Sequence, residues 1–161
     1  VNAWLKRCYD SKIRGEGQYR GIKGRIIIEK YLREEETDFL DYRIYCFSGE
    51  PLLFHVSIDG PGGDYYRIYN TEWKEIPKTD LEADRKTPKI ERPDNLGELL
   101  EISRKLSQDF PFVRVDLYGV LGKIYFSELT FTPSNGLIVP DPVKIDRLLG
   151  DALDLGLYKS V

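Results

Sequence analysis

Three ionisable side chains stand among apolar ones in Arg114-Val115-Asp116-Leu117-Tyr118 and Tyr125-Phe126-Ser127-Glu128-Leu129-Thr130-Phe131. A charge in a half-buried strand is costly unless it is paired or holds an ion, so these groups need partners. The segments read as the arms of a β-hairpin, Phe112 to Gly119 and Lys123 to Phe131. A three-residue loop of Val120, Leu121 and Gly122, with the glycine at its left-handed position, places Arg114 across from Glu128 and Asp116 across from Phe126. Opposed residues share a face, as do residues two apart on one strand, so Arg114, Asp116, Glu128 and Thr130 project from the same side. A two-residue loop would instead put Asp116 and Glu128 on opposite faces. Diagonal carboxylates repel unless a cation lies between them, and a few hard oxygen ligands suit a Mg²⁺ that also holds a nucleotide's phosphates. The plainer alternative is an Arg114–Glu128 salt bridge with Asp116 facing water.

The rest of the chain supplies elements to hold such a hairpin. Arg25 to Leu32, rich in β-branched and aromatic residues, reads as a strand, followed by a solvated turn at Glu34-Glu35-Glu36-Thr37. Asp41 to Phe47, Leu52 to Ile58 and Tyr65 to Asn70 read as closely spaced strands. The turn-forming Ser48-Gly49-Glu50-Pro51 and the segment Asp59 to Asp64 separate them, which predicts antiparallel meanders. Trp73 to Pro93 reads as a long surface loop. Asn95 and Glu98 form a capping-box-like pair ahead of Leu96, Leu99, Ile102, Leu106 and Phe110, which mark one helical face ended by Pro111. Val1 to Tyr9 has helical spacing, and Asp141-Pro142 opens a short final helix. The fold class is α+β: an antiparallel sheet with helices packed on one side.

Composition narrows the function classes. The 161 residues amount to one domain, with 41% hydrophobic and 32% charged residues and a net charge of −3. That charge argues against holding nucleic acid by bulk electrostatics, and no apolar run is long enough to be an integral membrane segment. Two cysteines, Cys8 and Cys46, give no disulfide framework and fit reduced thiols in a cytoplasmic setting. The single histidine, His55, leaves no second imidazole for a His-based zinc site and reads as a packed or edge residue. Eleven tyrosines scattered through strands fit β-propensity better than sugar stacking. The chain contains no methionine and starts at Val1, so it reads as a piece of something longer.

Several stretches together resemble the TupA-like ATP-grasp family, named for teichuronopeptide biosynthesis. They are Arg25 to Leu32, Asp41 to Phe47 with Gly49, Asn70 to Trp73, Leu106-Ser107, Asp109 to Tyr118, and Tyr125 to Phe131, in the family's order across nearly the whole chain. The resemblance implies the carboxy-terminal portion of an ATP-grasp fold, with residues 1–161 a partial domain. The family's phosphate-binding strand lysine and glycine-rich loop are expected upstream, and the piece alone is expected to be inactive.

ATP and Mg²⁺ are the cofactors implied. Glu29, Lys30, Tyr31 and Leu32 are similar to the hinge whose backbone reads adenine, and Glu36 falls where the ribose hydroxyls are held. Asp116 and Glu128 match the acidic metal ligands, and Thr130 stands where many members have a metal-binding asparagine. Arg114 matches the arginine facing the reacting oxygens, while Arg43 and Arg67 are candidate phosphate contacts. The activity implied is ligation of a carboxylate to an amine through an acyl phosphate, on small molecules or polymer precursors of the bacterial cell surface. Such chemistry needs metal, cations and alignment rather than a protein nucleophile, consistent with the lack of a GxSxG elbow. The alternative is a non-catalytic ATP-grasp remnant, or a nucleotide- or sugar-binding accessory protein of a glycosyltransferase gene cluster.

Overall fold

Alternation of apolar and polar residues builds a sheet whose two faces are chemically unlike. The computed structural model describes residues 17, 22–32, 39–60, 63–78, 87–137 and 142–156. Five strands, β1 (Phe39–Phe47), β2 (Glu50–Gly60), β3 (Gly63–Asn70), β4 (Phe112–Val120) and β5 (Lys123–Thr130), form one antiparallel sheet in the order β3-β2-β1-β4-β5. Two helices, α1 (Leu96–Ser107) and α2 (Lys144–Ala152), accompany it, giving the α+β architecture. Each of the four strands expected from Asp41 onward in the meander and hairpin, and the β5 arm, appears within a few residues of its expected bounds.

One face carries the core. Tyr42, Ile44 and Cys46 of β1, Phe54 and Val56 of β2, and Val113, Val115 and Leu117 of β4 pack against Leu96 and Leu99 of α1. Burying a large apolar side chain contributes about 1.5–3 kcal/mol, so this layer dominates the stability. Ser103 and Ser107 also lie fully buried on α1, each donating its hydroxyl back to the carbonyl four residues earlier at 2.7 Å. Their small volume lets the helix approach the sheet, and the back-bonding removes the cost of burying a hydroxyl. The opposite face carries the charged groups together with aromatic rings such as Phe39, Tyr45, Phe47 and Phe112, and there Leu53 and Ile68 meet Ile145 of α2, so the two helices rest on opposite sides of the sheet.

Other expectations change. Arg25 to Leu32 forms no strand, and Ile27 and Ile28 stand 81% and 92% exposed. Residues that favour β-structure form it only where a neighbouring ladder takes up their backbone groups, and no described strand does so here. The Asn95 side chain caps nothing; its Nδ2 donates to the Gly122 carbonyl at 3.1 Å, tying the start of α1 to the β4–β5 turn. The stretch from Trp73 to Pro93 is not all surface. The Trp73 indole stacks on Tyr69 at 4.4 Å between ring centroids and packs edge-on against Phe54, while Thr87 and Ile90 are buried. The Val1 to Tyr9 helix and the Asp141 cap lie outside the described residues.

Gly119 sets how closely β4 meets β1. A Cβ built there would lie 2.6 Å from Cε2 of Tyr42, a ring only 3% exposed and held edge-on against Trp73. Gly119→Ala is expected to destabilise the fold by about 1–3 kcal/mol, read as a lowered midpoint in urea unfolding. An unchanged midpoint would show that the ring moves freely.

Candidate functional site

The polar face gathers its charges through the register of β1, β4 and β5. Arg43 pairs with His55 on one side and Asp116 on the other, and Asp116 pairs in turn with Glu128. The route to the last pairing differs from the expected one. The β4–β5 loop has two residues, Leu121 and Gly122, both with positive φ (49° and 74°), between paired Val120 and Lys123. A turn of that hand matches strand twist, which favours it over a three-residue loop. Alone, it would put Asp116 and Glu128 on opposite faces. A β-bulge intervenes: Leu117 pairs with Phe126, Asp116 pairs with Glu128, and Ser127 is left unpaired. The extra residue reverses the parity of everything beyond it. Asp116 therefore faces Glu128 directly, and Arg114 faces Thr130.

The side chains converge. Arg114 Nε donates to Asp116 Oδ1 at 2.7 Å and Nη2 donates to Asp116 Oδ2 at 2.6 Å. The same Nη2 reaches Thr130 Oγ1 at 3.1 Å and Glu128 Oε1 at 3.4 Å, and Thr130 Oγ1 donates to Glu128 Oε1 at 2.7 Å. The guanidinium is thus the cation between the two acids. The plainer alternative is met in part: the Arg114–Glu128 contact exists, but Asp116 is buried and paired instead of facing water. Burial pushes the Asp116 carboxyl above its usual range, against the hydrogen bonds and charge of Arg114, with Asp41 and Glu128 adding to the rise. Burial opposes the Arg114 charge, yet the hydrogen bonds and charge of Asp116 hold its protonated form still more firmly.

Beside this cluster lies a cavity of about 650 Å³. Glu29, Lys30, Tyr31 and Leu32 form one wall, and rings of β1, β4 and β5, among them Tyr118 and Phe126, form the other. Tyr118 lies two residues from Asp116 on the same face of β4, so cavity and acids share a neighbourhood. Arg43 lies on the same face, its Nη2 2.7 Å from Asp41 Oδ2.

Arg67 does not join them. It pairs with Val56 on the core face, where Nε donates to the Pro88 carbonyl at 2.8 Å, Nη2 to the Thr87 carbonyl at 2.5 Å, and Nη1 to Glu75. Pinning this loop occupies its guanidinium, away from the acid cluster. Glu36 lies outside the described residues.

Sequence reasoning missed the surroundings of His55. Its imidazole lies 4.5 Å from the Tyr66 ring, centroid to centroid, and lines a second cavity with Arg43 and Asp41. Burial, then the charges of Arg43, Arg114 and Lys78, push it down to about 3, so it is neutral at physiological pH. No sequence signal marks that cavity, because several strands build it.

The donor chemistry fits a hard divalent cation. Asp116, Glu128 and Thr130 offer oxygens only, on one face. Among the described residues no group of three or more Asp, Glu, His or Cys side chains gathers as a metal cage. Mg²⁺ is commonly held by one or two carboxylates together with water and substrate phosphates, which matches so small a set.

The sequence model of a family described as TupA-like ATPgrasp matches residues 2–154. No curated protein and no solved structure gives a significant match. No helix among the described residues is long and apolar enough to cross a membrane.

Removing Arg114 leaves Asp116 buried without its partner. Arg114→Met is expected to cost about 3–5 kcal/mol at neutral pH. The Asp116 pKa, already raised, then climbs further above its unfolded value. The folded variant binds the extra proton, so its stability rises as the pH falls through that raised pKa and is lost as the pH rises again. Urea unfolding of wild type and variant from neutral to acid pH should therefore show the gap narrowing on acidification. A gap independent of pH would contradict the pairing.

Proposed function

The chain belongs to the TupA-like ATP-grasp family, and on that premise we propose that it takes part in ATP- and Mg²⁺-dependent ligation of a carboxylate to an amine. The observation that carries this reading is the convergence of Asp116, Glu128, Thr130 and Arg114 on one face beside the 650 Å³ cavity. In this reading the backbone of Glu29 to Leu32 borders the adenine, and the rings of Tyr118 and Phe126 cover the nucleotide from the sheet side.

Asp116, Glu128 and Thr130 are the residues that would hold Mg²⁺. When bound, the ion neutralises and aligns phosphate oxygens. Arg114, fixed by two hydrogen bonds to Asp116 and only 14% exposed, holds a permanent positive charge where the phosphoryl and acyl oxygens gather charge. Arg43, one strand over, adds a second cation on the same face. The terminal phosphoryl of ATP passes to the carboxylate, giving ADP and an acyl phosphate. The amine then attacks the carbonyl carbon and inorganic phosphate leaves. Holding the reactants in line is the protein's contribution, and no side-chain nucleophile enters. In this reading the ligation serves the making of bacterial cell-surface polysaccharide or teichuronopeptide.

One observation favours a second reading, a nucleotide-binding protein without turnover: the Arg114 guanidinium already closes on Asp116 through both carboxylate oxygens. Turnover separates the two. In the ligase reading, a panel of amino-acid and uronic-acid acceptors includes pairs that raise ADP release; in the second, nucleotide binds and no acceptor does so.

Both readings require metal-dependent nucleotide binding. Asp116→Asn and Glu128→Gln are each expected to weaken ATP affinity in Mg²⁺ by about tenfold or more, since even outer partners of a metal site commonly cost that much. In EDTA the variants should bind as wild type does. Calorimetric titrations in which neither change alters the Mg²⁺-dependent affinity would rule out this assignment.

A further inference from the structure

The second cavity on the polar face carries groups, His55 and Ser57 among them, that the nucleotide reading does not use. It measures about 280 Å³ and shares the walls Phe39 and Tyr118 with the larger cavity. That volume lies below the roughly 300–1,000 Å³ of pockets for drug-sized ligands, and suits a single ring with its substituents. Tyr65 and Tyr66 bring its aromatic walls to four, so rings scattered through the sequence meet in one place.

Its polar groups are Asp41, Arg43, His55 and Ser57, a carboxylate, a guanidinium, an imidazole and a hydroxyl. Neither the His55 imidazole nor the Ser57 hydroxyl has a hydrogen-bond partner among the described residues. Both side chains are half-buried and open onto the cavity, so a ligand there must replace water with groups that both donate and accept hydrogen bonds. The neutral imidazole offers one donor and one acceptor, and the serine offers one donor and two acceptors. Asp41 and Arg43 add further acceptors and donors at the rim.

We propose that this cavity binds a pyranose sugar ring, whose apolar C–H face lies against the tyrosines while its hydroxyls engage His55, Ser57 and the Asp41–Arg43 pair. A hydroxyl both donates and accepts, so it joins that pair without breaking it. A zwitterionic amino acid, the rival of similar size, would have to pull the 2.7 Å ion pair apart. A neutral hexose and a hexuronate share the ring chemistry, and the carboxylate of the second would turn toward Arg43. Of its polar groups only Arg43 also enters the nucleotide reading, so sugar binding measured without nucleotide tests the site separately.

The test is ligand-observed NMR and calorimetric titration of the intact chain in EDTA, without nucleotide, against glucose, galacturonate and alanine. Saturable binding of glucose or galacturonate is expected, weakened about fivefold or more by Ser57→Ala and by His55→Gln, as expected for losing a hydrogen bond. Thermal melting of each variant shows whether the fold is retained. Ser57→Ala, which removes one oxygen, decides the matter if His55→Gln does not fold. Saturation by neither sugar, saturation by alanine alone, or sugar binding that Ser57→Ala leaves unchanged would overturn the proposal. Because no arm contains nucleotide or Mg²⁺, a failure of the ligase reading would not alter this result.

Discussion

One unpaired residue, Ser127, decides which way the end of β5 faces. Before it, Ile124 turns toward the core and Tyr125 toward the polar side; beyond it, Leu129 and Phe131 turn toward the core and Glu128 and Thr130 away. Without the bulge, the two apolar residues would face water and the two polar ones would press on the core layer. Each large apolar side chain so displaced forfeits about 1.5–3 kcal/mol. The hydrophobic pattern therefore enforces the bulge, and the same irregularity aims Glu128 at Asp116. Core packing and site assembly follow from a single register choice.

The acids so assembled could not stand alone. Asp116 is buried with Glu128 and Asp41 nearby, and Arg114 supplies the compensating charge through two short hydrogen bonds. An ion pair of this kind stabilises little in net terms, because desolvation offsets the attraction, but removing one partner is expensive. Such a pair is better understood as an orienting device. It fixes the guanidinium and carboxylate relative to the cavity bordered by Glu29 to Leu32, before any ligand arrives.

Much of this was legible in the residues. Strands from β1 to β5 follow from period-two alternation and from turns such as Ser48-Gly49, whose positive φ values of 48° and 87° close the β1–β2 hairpin. The shared face of Arg114, Asp116, Glu128 and Thr130 was also expected, although by a different register. A Leu-Gly turn lacks the usual Asn-Gly signature, and a bulge at an ordinary serine leaves no mark in the sequence. The family resemblance offers Arg67 as a phosphate contact. In the fold it satisfies loop carbonyls from the core side. Arg25 to Leu32 shows that propensity does not make a strand where no described ladder receives it. The His55 cavity was beyond reach, since its walls are brought together by tertiary structure alone.

The central claim is that Asp116, Glu128 and Thr130 grip one divalent ion together with a nucleotide. Paramagnetic Mn²⁺, added to isotopically labelled protein with a non-hydrolysable ATP analogue, tests this most directly, because it broadens resonances near the ion first. The account predicts earliest broadening at residues 114–116 and 128–130, followed by the wall at Glu29 to Leu32. Broadening centred elsewhere, for example on Glu72 and Glu75, or spread evenly over the acidic surface, would contradict it.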